Sequence, residues 1–162
     1  MESYTKHLTQ EIEKILKLTN EPLDRNSMII SSNLYRASMT MRSKFEKEIL
    51  SDYKLSFSGF GILYNLWIWE SVEIRELAKI MRLTVPTVSS ISSTLVKKGL
   101  CKRTADTRDR RLVLLSLTEE GLKLIEEAYP KFNKKEIEFS DILSEEEKNT
   151  FITILEKIIN SN

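Results

Sequence analysis

Seven basic side chains crowd into residues 97 to 111: Lys97, Lys98, Lys102, Arg103, Arg108, Arg110 and Arg111. The last three stand in the polar run ADTRDRR, with Asp109 among them. A guanidinium presents its donors in a fixed fork that matches the oxygens of a phosphate or carboxylate, and a lysine adds a mobile point charge. Such a group is equipped to hold a polyanion rather than to break a bond. The whole-chain balance hides it, because 25 basic side chains face 24 acidic ones for a net charge of +1. Residues 72 to 111, however, hold 10 basic and 4 acidic side chains, residues 112 to 162 hold 6 and 11, and residues 1 to 71 hold 9 of each. Positive charge is thus confined to one stretch, which predicts a local electropositive face.

The same stretch contains VPTVSSISST, residues 85 to 94, in which Thr87, Ser89, Ser90, Ser92, Ser93 and Thr94 carry hydroxyls. A linker or a phosphorylated patch would need no apolar period, yet Val88, Ile91 and Leu95, with Val85 nearby, recur at helical spacing. Thr84 supplies an N-cap, Pro86 is tolerated in a first turn, and Gly99 after Lys97 and Lys98 is a stop signal. Steps of about 100° place Pro86, Ser89, Ser90, Ser93, Thr94 and Lys97 opposite the apolar face, and Thr87 joins them as a contact residue. No charged residue lies between Val85 and Val96, so hydroxyls and one proline are what this helix offers a partner.

Other chemistry finds little to work with. His7 is the only histidine and Cys101 the only cysteine, which leaves no metal-ligand cluster, no disulfide and no Ser/His/Asp arrangement. Glycine-rich phosphate loops are absent too, so the sequence implies neither cofactor nor metal, and no enzyme. Cys101 falls in an apolar strand context and reads as a structural thiol. With no apolar run of about 18 residues and a polar start, MESYTKHLTQEIEK, the expected location is the cytoplasm, with no membrane partner.

The elements around the basic stretch read as mostly helical, in keeping with only 4 Gly and 3 Pro. Leu8, Ile12, Ile15 and Leu16 mark a helix from Tyr4 to about Thr19, and Ile30, Leu34, Ala37, Met41, Phe45 and Ile49 mark a long one from about Met28 to Leu50. Ser56 caps the buried helix FSGFGILYNLWIW; a short VEI strand and the helix RELAKIM follow. Beyond Gly99, LCKRT and LVLLSLT flank the charged loop as a hairpin. Thr118 caps a helix running towards Phe139, with a kink expected at Pro130, and Ser144 with Glu147 makes a capping box for the last helix. The expected fold is mainly α with a small β-hairpin wing: N-terminal helices over 1–52, a winged helix-turn-helix over 53–118 and C-terminal helices over 119–162. Duplex DNA asks for this layout, since a helix fits the major groove, a loop reaches the minor groove and basic side chains meet phosphate.

The run LAKIMRLTVPTVSSISSTLVKKGLCKRTADTRDRRLVLLSLTEEGLKL, Leu77 through Leu124, resembles the MarR family of bacterial transcriptional regulators, and the flanking helices extend the likeness from about Met28 to Ile159. The resemblance implies a ligand-responsive regulator, in the first place a repressor, that binds a pseudo-palindromic operator as a homodimer joined through its terminal helices. It implies that Arg111 enters the minor groove with Asp109 orienting it, and that two recognition helices stand about 34 Å apart. The family commonly has Gly where this chain has Arg82, just before Leu83. It also implies an effector cleft for a small aromatic or phenolic compound, bordered by Tyr35, Arg36, Met39, Arg42, Tyr64, Trp67 and Trp69. The alternative from another class is a winged-helix protein-interaction or assembly module, which has no need of Arg108, Arg110 and Arg111.

Overall fold

The computed structural model describes residues 3–105 and 112–161. Arg108, Asp109, Arg110 and Arg111 lie outside the described residues. The chain forms two compact units, Met1–Ser43 and Lys44–Asn162.

The first unit holds α1 (Ser3–Leu18) and most of α2 (Arg25–Phe45). α2 begins three residues before the expected Met28, because the Asp24 carboxylate accepts from the Ser27 amide at 2.7 Å and caps the orphaned first turn. The hydrogen bond from Ser27 also holds the Asp24 carboxyl below its ordinary range. Glu11 and Glu13 of α1 face α2, where Arg36 Nη2 lies 3.2 Å from Glu11 and Arg25 Nε lies 3.6 Å from Glu13. Leu8 and Ile12 are buried, whereas Ile30 and Leu34 of the apolar stripe stay exposed.

In the second unit α2 runs into one wide π-helical turn, Glu46–Leu50, closed by the Ser51 amide donating to the Glu46 carbonyl at 2.8 Å. The sequence reading carries the helix to Leu50 without this change of pitch. α3 (Phe57–Trp69) starts where expected, with Ser56 Oγ accepting from the Gly59 amide at 3.1 Å and Glu46 Oε1 accepting from the Phe57 amide at 2.7 Å. Phe45, Phe57, Phe60 and Phe132 form the aromatic centre of the core, with Phe60 stacked on Phe132 at 4.2 Å and Phe45 edge-on to Phe132 at 4.8 Å.

Around this core stand β1 (Ser71–Glu73), α4 (Ile74–Ile80), α5 (Val85–Lys97), β2 (Cys101–Ala105), β3 (Val113–Leu117), α6 (Glu119–Ser140) and α7 (Glu145–Asn160). The hairpin is part of a three-stranded antiparallel sheet in the order β1-β3-β2, with Leu115 of β3 opposite both Val72 and Arg103. α6 continues as one helix past Pro130. Its first turn is pressed against the end of α5: Thr118 Oγ1 donates to the Gly99 carbonyl at 2.6 Å, and a Cβ on Gly121 would lie 2.0 Å from the Leu100 carbonyl oxygen. Only glycine fits there. The capping box at Ser144 and Glu147 forms as read, yet no residue of α7 is buried.

Candidate nucleic-acid interface

α4, a turn and α5 make a helix-turn-helix, and both helices end in the same way. After α5, Gly99 has φ +72°, its amide donates to the Val96 carbonyl at 2.9 Å, and the Leu100 amide donates to the Leu95 carbonyl at 3.0 Å. After α4, Arg82 has φ +52°, its amide donates to the Lys79 carbonyl at 3.1 Å, and the Leu83 amide donates to the Ala78 carbonyl at 2.9 Å. Both are Schellman motifs, whose left-handed residue is usually glycine because a Cβ crowds the following carbonyl. The turn closes with arginine at that position, and the strain falls on Arg82.

α5 starts on Thr84, whose Oγ1 accepts from the Thr87 amide at 3.3 Å, and Pro86 sits in the first turn where its missing N–H leaves nothing unpaired. Val88 and Leu95 are buried as the period requires. Val85 is not; it is 42% exposed, and Ser92 takes the remaining place on the inner face at 0% exposure. The Ser92 hydroxyl has no hydrogen-bond partner among the described residues. On the outer face Pro86, Thr87, Ser90, Thr94 and Lys97 are exposed, while Ser89 and Ser93 are half-buried. The cover over those two is Arg103 of β2, whose Nη2 donates to the Ser89 carbonyl and to Ser93 Oγ, each at 3.0 Å.

Lys98 follows α5 and donates from Nζ to the Lys54 carbonyl at 2.5 Å, bridging to the loop before α3. Lys97, Lys102 and Arg103 are exposed on the same unit. The structure thus joins α5 to β2 through Arg103 and leaves Lys97, Lys102 and Arg103 exposed near it, an arrangement that can bind an anion. Cys101 is buried on β2, and burial pushes its thiol up to about 12, which keeps it a neutral, unreactive group.

The model of the MarR family matches residues 55–113. The uncharacterized HTH-type transcriptional regulator YwaE of Bacillus subtilis (strain 168) is 39% identical over 147 residues, spanning 91% of this chain and 86% of that protein. This chain belongs to the MarR family. Two solved MarR-like folds carry the likeness into three dimensions. The Staphylococcus aureus MepR–DNA complex superposes with a TM-score of 0.75 at 29% identity, covering 81% of this chain and 96% of that one. Bordetella bronchiseptica BpsR, whose DNA binding is regulated by 6-hydroxynicotinic acid, superposes with a TM-score of 0.73 at 26% identity, covering 80% and 97%.

The effector residues that the MarR resemblance implies divide between the two units. Tyr35, Arg36, Met39 and Arg42 belong to the first, where Arg36 is engaged with Glu11, and Tyr64, Trp67 and Trp69 belong to the second. Within the second, Tyr64 stacks on Tyr129 at 5.5 Å and Trp67 tilts against the same ring at 5.3 Å, while Trp69 is 63% exposed at the helix end. Sequence reasoning missed Tyr129. Its position four residues after Ile125 and three before Phe132 was the available signal, and burial together with Tyr64 raises its phenol above the ordinary range. No helix among the described residues is long and apolar enough to cross a membrane.

Proposed function

We propose that this chain is a cytoplasmic transcriptional regulator that binds a pseudo-palindromic DNA duplex as a homodimer, represses from it, and releases it when a small aromatic or phenolic ligand binds. The observation that carries the reading is the helix-turn-helix with its flanking cations: a capped helix exposing Pro86, Thr87, Ser90, Thr94 and Lys97, with Lys98, Lys102 and Arg103 around it. In this reading the wing cations Arg108 and Arg110 hold phosphate, Arg111 enters the minor groove and Asp109 orients it. The N- and C-terminal helices join the two copies, which the uncovered α7 supports, and α1 adds to that joint. Tyr35, Arg36, Met39, Arg42, Tyr64, Trp67 and Trp69 are the residues assigned to the ligand in this reading. No catalytic residue is assigned.

The test is the affinity for a random-sequence duplex measured at several salt concentrations, where the log–log slope counts the phosphates neutralised. The reading expects measurable binding at low salt with a steep slope. An assembly module without DNA binding predicts none. Arg111→Ala should weaken binding to a preferred duplex by about 100-fold while the dimer stays intact, as expected for loss of a buried groove contact of roughly 2 to 3 kcal/mol. An unchanged affinity removes the minor-groove role.

A further inference from the structure

Resting on the reading of α5 as the recognition helix, we propose that Arg103 is a positioning residue: it straps the first wing strand to the Ser89–Ser93 turn, takes Ser93 out of base reading, and leaves Ser90 as the hydroxyl that reads.

The hydrogen-bond accounts of these side chains carry the inference. Ser93 Oγ donates to the Ser89 carbonyl at 2.8 Å and accepts from Arg103 Nη2 at 3.0 Å, so its single proton is spent inside the protein. Arg103 Nη2 also reaches the Ser89 carbonyl at 3.0 Å, so one nitrogen meets a backbone and a side-chain oxygen on the same helical turn. Both contacts come from Nη2 at the far end of the arginine side chain, a reach that the shorter lysine side chain lacks. Both acceptors are neutral, so the strap leaves the arginine charge uncompensated. Two more exposed hydroxyls on the helix are also engaged: Thr87 Oγ1 lies 2.7 Å from Thr84 Oγ1, and Thr94 Oγ1 donates to the Ser90 carbonyl at 3.3 Å. Ser90 is exposed, and its hydroxyl has no intramolecular partner among the described residues.

Position therefore matters more than charge at residue 103. A recognition helix tied to the wing strand presents Ser90 at a fixed depth, and a helix held only at its ends does not. The experiment compares the wild type, Arg103→Lys, Ser93→Ala and the double variant on a preferred duplex and on random duplex, with melting temperature and salt slope measured for each. The expected result for Arg103→Lys is an affinity loss about ten-fold larger on the preferred duplex than on random duplex, with the melting temperature unchanged. Ser93→Ala should lose discrimination as well, and the double variant should lose no more than Arg103→Lys alone, the non-additivity expected of one shared contact. The proposal is overturned if Arg103→Lys discriminates as the wild type does, if the two losses add, or if all binding falls in step with melting temperature. If the wild type binds neither duplex, the reading as a DNA-binding protein fails first; if it binds and discriminates, a wild-type-like Arg103→Lys sinks the strap alone.

Discussion

α3 and α7 are both rich in apolar side chains, and they meet opposite fates. α3 buries Gly59, Phe60, Ile62, Leu63 and Leu66 inside its own chain, against Phe132 among others. α7 buries nothing, although it carries Phe151, Ile152, Ile154, Ile158 and Ile159, and Ile137, Phe139 and Ile142 before it are exposed too. A sixteen-residue helix gains little from propensity alone and depends on packing of its apolar face. Exposed apolar side chains in this number are what an interaction surface presents. The half of the chain that would meet DNA is finished within one copy; the half that would meet a partner is not.

The most damaging way to break that contrast is to open the finished half. Gly121→Ala drives a Cβ into the Leu100 carbonyl oxygen, at the joint between α5, β2 and α6. The clash is with backbone rather than with a flexible side chain, so the expected cost is about 3 kcal/mol, at the upper end for overpacking, read as a lowered denaturant midpoint. The unfinished half should respond differently. Ile154→Glu with Ile158→Glu should shift the sedimenting species from dimer to monomer at micromolar concentration and leave the near-ultraviolet signal of the aromatic side chains in place. A double variant that stays dimeric would remove α7 from the interface.

Two milder substitutions sharpen the comparison inside the finished half. Ser92→Ala removes a fully buried hydroxyl that has no partner among the described residues, and should stabilise the chain by about 1 kcal/mol in a urea titration. Arg82→Gly should relieve the left-handed turn by about 0.5 to 1 kcal/mol, net of the extra freedom glycine has when unfolded. A loss of stability at Arg82→Gly would mean that the arginine side chain offsets its own backbone strain.

Which features were legible in the sequence follows from how local their causes are. The caps at Ser56, Thr84, Thr118 and Ser144 were read directly, because each hydroxyl meets an amide three residues on. The stop at Gly99 was read for the same reason. Asp24 was overlooked because it stands in a segment, EPLDRNS, whose proline and polar residues look like an interruption rather than the start of α2. Ser92 defeated the pattern: a serine at an inner position carries no apolar signal, and Val85, which carries one, lies at the exposed end of the helix. The strap from Arg103 was out of reach too, since ten residues separate it from Ser93 and only the folding of β2 against α5 joins them. Within the candidate site, residue types and their face were legible, and what each hydroxyl was already bonded to was not.

The central claim is that two finished DNA-facing halves are joined through the unfinished ones. Selecting preferred duplexes from a random pool tests it most directly, because the enriched sequence reports base reading and the spacing of the two heads together. The account predicts an inverted repeat whose half-sites lie about 10 base pairs apart, centre to centre. A pool that shows no enrichment, or a single unpaired half-site, would contradict it.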